Sequence, residues 1–197
     1  QNLLRPDARR RLLESLPEVS MFEADFGRVR KFGQECHDRY NLEYRDGLAV
    51  AKPWQDFITE LRSPRYHSFL ARMFGVSKFR LRFHWHYAPR DCWVSPHCDS
   101  KRKLGSHIFY LNSADDWNPA WGGQTVVLDD GGRFRHSSSP SVADFDRSVE
   151  AECLHNHSFL FRRTAHSWHY VKKVECPEGM LRKVFITVVD DARLLPS

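Results

Sequence analysis

At Phe79 the chain adopts a period of two. Apolar Phe79, Leu81, Phe83, Trp85 and Tyr87 alternate with Arg80, Arg82, His84 and His86. That alternation belongs to a strand with one buried and one polar face. A strand leaves unpaired backbone groups along both edges and so requires partners. Candidates follow at residues 107–111, 124–128, 158–161, 168–171 and 184–189. Between them lie turn formers: Pro89-Arg90-Asp91, Gly122-Gly123, Gly131-Gly132 and Pro177-Glu178-Gly179. Many short strands at this spacing predict a mainly β chain, an antiparallel sandwich or barrel.

Residues 1–75 read differently, as a helical and mixed part ahead of a β core over 76–197. Pro53 opens a helix carrying Trp54, Phe57, Ile58 and Leu61. Ser63 and Pro64 supply an N-cap and a first helical residue for a second helix. Tyr66, Phe69, Leu70, Met73 and Phe74 lie at helical spacing, and Gly75 can end it. Both helices are expected to pack on one outer side of the sheet. Residues 133–157 are polar and Ser-rich at their start, and a loop that long inside a compact domain is usually functional. They are expected to form a lid.

A chain of 197 residues with 41% apolar content suits one globular domain. No run approaches the ~20 apolar residues of a membrane span, and the first residues carry no secretory pattern. Five cysteines, at 36, 92, 98, 153 and 176, include no CxxC pair. They read as reduced thiols and not as a disulfide framework or structural zinc site. A cytoplasmic location is the expectation. Net charge is +5, with basic clusters at 9–11, 28–31, 101–103 and 162–163. Scattered clusters without a recognition motif read as solvated surface, so neither nucleic acid nor membrane is expected as a partner.

The chemistry centres on His97-Cys98-Asp99. On extended backbone, residues two apart share a face, so the imidazole and carboxylate can reach one metal while Cys98 turns away. Two histidines and one carboxylate on a single octahedral face commonly hold iron(II) with open positions. His169, within Ser167-Trp168-His169-Tyr170-Val171, is the favoured third ligand because its neighbours read as a strand. His166, in the turn before it, is the competitor. His84, His86, His155 and His157 read as structural or surface histidines. A 2-oxo acid chelating such a metal would bury its distal carboxylate, which demands a charged partner. Arg182 is the first choice because guanidinium grips carboxylate bidentately, and Lys183 stays open as an alternative. Tyr110 could add a phenolic hydrogen bond.

These pieces, in this order, resemble the iron(II)/2-oxoglutarate-dependent dioxygenase superfamily in its prolyl-hydroxylase-like branch. The run is Tyr87-Ala88-Pro89, His97-Cys98-Asp99, Ile108 to Asn112, Trp117 to Gly123 (WNPAWGG), Leu160-Phe161, Ser167 to Val171, then Arg182 with its apolar strand. It covers about 110 residues of the sequence. The resemblance implies a double-stranded β-helix of the jelly-roll or cupin-like type, with helices on one side. It implies His97, Asp99 and His169 as iron ligands. Arg182 and Tyr110 would hold 2-oxoglutarate, and Tyr87 would lie near it. Iron(II), 2-oxoglutarate and dioxygen would be required, with ascorbate as an auxiliary reductant. The implied reaction is hydroxylation of an unactivated carbon with decarboxylation of 2-oxoglutarate to succinate. Asp99, where halogenases have Gly or Ala, favours hydroxylation. The substrate could be a protein side chain of the prolyl type, or a small amino acid or secondary metabolite. A non-catalytic cupin-like metal-binding module is the alternative. Oligomeric state is not legible.

Overall fold

Alternation places the long strands so that one face meets the helices and the other meets a cavity. The computed structural model describes residues 3–28, 30–35 and 37–194. Its helices are α1 (Pro6–Glu14), α2 (Lys52–Leu61) and α3 (Pro64–Phe74). Its strands are β1 (Glu23–Asp25), β2 (Arg39–Glu43), β3 (Phe79–Ala88), β4 (Val94–His97) and β5 (Lys103–Tyr110), then β6 (Thr125–Asp129), β7 (Arg147–Glu150), β8 (Ser158–Arg162), β9 (Trp168–Val171) and β10 (Arg182–Asp191).

Six strands form one sheet in the order β1-β2-β3-β10-β5-β8, and four form a second in the order β4-β9-β6-β7. Every pairing is antiparallel. The two sheets make a double-stranded β-helix, as the resemblance implied. β10, paired with β3 on one side and β5 on the other, is the central strand of the larger sheet. Its odd-numbered residues Phe185 and Val189 meet the helices, while Val184, Ile186 and Val188 line the cavity.

The two expected helices form, with Ser63 accepting from the Tyr66 amide and Gly75 at φ 67° ending α3. Helix α2 buries Trp54, Ile58 and Leu61 against Phe83, Trp85 and Phe185. Burying an aliphatic side chain of this size contributes about 1.5–3 kcal/mol, so the helix layer is held mainly by its apolar stripe. The Trp54 indole donates to the Leu12 carbonyl at 3.2 Å, tying α1 to α2.

Two expectations need correction. The first 75 residues also supply β1 and β2, which widen the larger sheet beyond β3. β2 has only five residues at a half-buried sheet flank, so it carries no clean alternation. Residues 133–157 are not one lid loop either. β7 pairs with β6 over four residue pairs, Phe134 and Phe145 pack on Trp168, and Cys153 and Leu154 are buried. Apolar anchors spaced too widely for a period hold this segment down. Cys98, Cys153 and Cys176 are buried thiols, and Cys92 lies in the cavity wall. Cys36 lies outside the described residues. Among the described residues no helix is long and apolar enough to cross a membrane.

Candidate metal centre

β4 and β9 are hydrogen-bonded neighbours in the smaller sheet, and their register sets His97 opposite His169. Cross-strand partners on one face stand close together, and the two imidazole rings lie 4.3 Å apart. Asp99, two residues past His97, turns to the same side. One donor atom from each of His97, Asp99 and His169 lies within 4.8 Å of the other two, and all three residues are buried. Cys98 points the other way into Val126, Leu128 and Trp168. His166 is excluded from the cluster: its side chain is 47% exposed and its Nδ1 sits 3.0 Å from Asp130 Oδ2.

The same local device orients both histidines. His97 Nδ1 donates to the Ser95 carbonyl at 2.9 Å, and His169 Nδ1 donates to the Ser167 carbonyl at 3.0 Å. A carbonyl only accepts, so each Nδ1 carries the proton and each Nε2 keeps a free lone pair. Burial, reinforced by the neighbouring His169, pushes His97 well below the ordinary imidazole range, with Asp99 opposing. Burial also lowers His169, again against Asp99. Both rings are therefore held toward the neutral form, the form in which Nε2 can donate to a metal.

Asp99 experiences the opposite balance. Burial alone would raise its carboxyl, but Lys103, His169 and His97 outweigh it and hold it below the usual carboxylate range. Lys103 Nζ donates to Asp99 Oδ1 at 2.7 Å, leaving Oδ2 for another partner. The Asp99 carbonyl accepts from His136 Nε2 and from Arg163 Nε, each at 3.2 Å. Two neutral imidazoles and one ionised carboxylate make a donor set suited to a divalent metal with open positions.

The cavity beside the triad has a volume of about 310 Å³. Arg182 is buried in its wall, and its guanidinium lies 5.9 Å from the centre of the Tyr110 ring. Arg182 Nε donates to the Gly123 carbonyl, and Nη2 reaches Thr125 Oγ1 at 3.5 Å. No described carboxylate pairs with it. Burial lowers the Arg182 guanidinium below its ordinary value, with Tyr110 and Cys153 opposing. The Tyr110 hydroxyl is turned toward Thr125 and makes no hydrogen bond of ordinary length with a described residue. Gly123 is required here: at φ 79°, a Cβ would lie 2.7 Å from Arg182 Cδ. Lys183 is on the opposite face of β10, with Nζ 3.4 Å from Asp116 on the flank of the domain.

Tyr87 does not belong to this cavity. Its hydroxyl donates to the Pro17 carbonyl at 3.2 Å, and its ring lies 4.3 Å from Phe22 in the layer between sheet and helices. Strand alternation puts His86 on the cavity side instead. The same alternation groups Tyr87 with Phe83 and Trp85 on the helix side, away from the place near a cosubstrate that the resemblance implies.

Several wall residues carried no legible signal. Arg30, His37 and Arg39 come from the segment around β2 and cover the open side of the cavity. The His37 ring lies 4.6 Å from the His97 ring and accepts from Arg30 Nη1. Burial, followed by His97, Arg30 and Arg39, lowers the His37 imidazole. Lys103 could have been suspected from its position four residues after Asp99.

No family model and no curated protein matches the chain, but solved structures share its fold. A prolyl-4-hydroxylase from Pseudomonas putida superposes with a TM-score of 0.63 at 15% identity, over 96% of this chain and 89% of that one. A prolyl hydroxylase from Trichoplax adhaerens, solved with a hypoxia inducible factor oxygen degradation domain peptide fragment, gives 0.67 at 14% identity, over 98% and 82%. An oxidoreductase of the 2OG-Fe(II) oxygenase family from Burkholderia pseudomallei gives 0.54 at 19% identity, over 94% and 76%.

Proposed function

We propose that this chain is an iron(II)- and 2-oxoglutarate-dependent oxygenase that hydroxylates an unactivated carbon. The observation that carries the reading is Arg182: a buried guanidinium, with no described carboxylate to pair it, in the wall of the cavity that holds the metal-binding triad. An unpaired buried cation is costly, and a dicarboxylate with one end at the triad would pair it.

Each wall residue then has a task. His97, Asp99 and His169 hold iron(II) on one side. Lys103 keeps Asp99 ionised and fixes its orientation, an outer partner of the kind that tunes metal sites. Arg182 takes the distal carboxylate of 2-oxoglutarate in charge-assisted hydrogen bonds, and Tyr110, packed behind Arg182 with its hydroxyl toward Thr125, would add another on turning to the ligand. Ile108, Val171, Val184, Ile186 and Val188 exclude water around it. His37, Arg39 and His86 face the remaining space, where substrate would sit. When bound, iron(II) and 2-oxoglutarate supply the oxidising chemistry that turns a C–H bond into C–OH, with dioxygen consumed and succinate and carbon dioxide released. A protein side chain fits this reading, because the Trichoplax adhaerens relative of the same fold holds a peptide. A small amino acid would use the same chemistry.

The test is stoichiometric. Purified chain with iron(II), 2-oxoglutarate and ascorbate should release succinate, faster when substrate is present. Iron binding with no 2-oxoglutarate consumption under any substrate pool would instead point to a non-catalytic metal-binding module.

A further inference from the structure

Beside the metal cavity lies a second concavity of about 710 Å³, walled by three separate segments of chain. Arg30, Lys31 and Phe32 come from the stretch before β2, Lys101 from the turn after Asp99, and Arg135 with His136 from the loop after β6. Arg30 and Ser100 line both spaces, so the groove runs directly into the metal cavity. Arg30, Lys31, Lys101 and Arg135, scattered along the sequence, thus meet at one mouth.

The charge of this groove is uncompensated. No carboxylate lines it, and none of Arg30, Lys31, Lys101 and Arg135 forms a salt bridge with a described residue. Some surface cations elsewhere are paired, as in Lys173 with Asp91 and Arg62 with Asp46; what sets the groove apart is that four cations without an ion pair to a described residue line one concavity. Among the described residues the carboxylate that acts on Arg30 is Asp99, which Lys103 already engages. Like charges held close with no counterion repel, and an anionic ligand relieves that cost. Phe32 is half exposed at the rim and stands at φ 65°, a conformation bulky residues rarely adopt outside ligand-binding or strained sites.

We propose that this groove binds an acidic polypeptide segment and presents a neighbouring residue to the metal centre; the second half of that statement rests on the oxygenase reading, the first does not. The occupant must extend from an open groove to the triad, which suits an extended chain. Ser100, Ser137 and the Gln34 side chain offer polar contacts to its backbone. Single-stranded nucleic acid would need several aromatic faces for successive bases. The groove has Phe32 alone of that class, already set edge-on to His136 at 5.9 Å.

Fluorescence anisotropy on the iron(II)-loaded full chain tests this with three probes: a fluorescein-labelled Glu-rich dodecapeptide, its Gln-substituted counterpart and a labelled oligothymidylate. The Glu-rich peptide should bind tightest and weaken as salt rises. Lys101→Glu and Arg135→Glu, both at exposed positions, should each weaken it on the order of tenfold, as reversal of an exposed charge contact allows. Arg147→Glu, the same charge change on exposed β7, should have a much smaller effect. Equal binding of the Glu and Gln peptides, tighter binding of the oligothymidylate, or equal loss in all three variants would overturn the groove. Succinate release is measured in parallel. Peptide binding with no succinate released under any substrate pool leaves the groove standing and removes the oxygenase reading, while succinate release without charge-selective binding does the reverse.

Discussion

His97 and His169 are register partners across β4 and β9, their rings 4.3 Å apart and each Nδ1 tied to the carbonyl two residues before it. This rung places two aimed imidazoles at one point, and Asp99 completes the set.

Removal of any one donor should therefore abolish the site. His97→Ala, Asp99→Ala and His169→Ala should each cut 2-oxoglutarate turnover by more than the ~10–100-fold typical of losing an outer-shell partner. His166→Ala should retain most activity, since His166 bonds Asp130 at the surface. Iron titration followed calorimetrically checks the same order, and an inactive His166→Ala beside an active His169→Ala would refute the ligand assignment.

Arg182 and Lys183 occupy opposite faces of one strand, so their loss should separate cleanly. A hydrogen bond to a charged group contributes about 1.5–3 kcal/mol, so Arg182→Ala should raise the KM for 2-oxoglutarate roughly 10–100-fold. Lys183→Ala should leave it nearly unchanged, because its side chain turns away from the cavity to half-buried Asp116. Steady-state kinetics with varied 2-oxoglutarate distinguishes them; the reverse ranking would move the anchor.

The two tyrosines give a second contrast. Tyr110→Phe removes the hydroxyl beside Arg182 and should raise the 2-oxoglutarate KM. Tyr87→Phe removes only the bond to the Pro17 carbonyl, costing stability on the order of 1 kcal/mol with KM unaltered. Thermal unfolding alongside kinetics reads both, and a KM effect in Tyr87→Phe would return that residue to the cosubstrate.

His107 should make stability depend on pH. Burial holds its imidazole at about 4, against an ordinary 6.5, and it bonds Tyr66 and Ser158 within the helix layer. The unfolded chain takes the proton first as pH falls, so this contribution is complete above pH 6.5 and is lost between 6.5 and about 4. The slope approaches ~1.4 kcal/mol per pH unit for one such group. Urea unfolding across that window should be shallower for His107→Gln; parallel curves would exclude the residue.

Local pattern alone determined more than half of the architecture: helices α2 and α3, strand β3, and most of the strands from β5 to β10. Those elements have strong periods or clear caps, and their signals need no distant partner. The His-x-Asp pair was legible for the same reason, since two residues apart on extended backbone share a face. Tertiary structure alone decided the rest. His169 and not His166 joined the triad because register with β4, seventy residues away, selects one of two nearby histidines. Arg182 and not Lys183 faced the cavity because parity is meaningful only once Phe185 is seated against the helices. His37 and Arg39 reached the cavity, and four unpaired cations met at its mouth, because packing brings together segments with no shared pattern along the chain. Short-range periodicity assigns faces; only the closed sheets determine which faces meet.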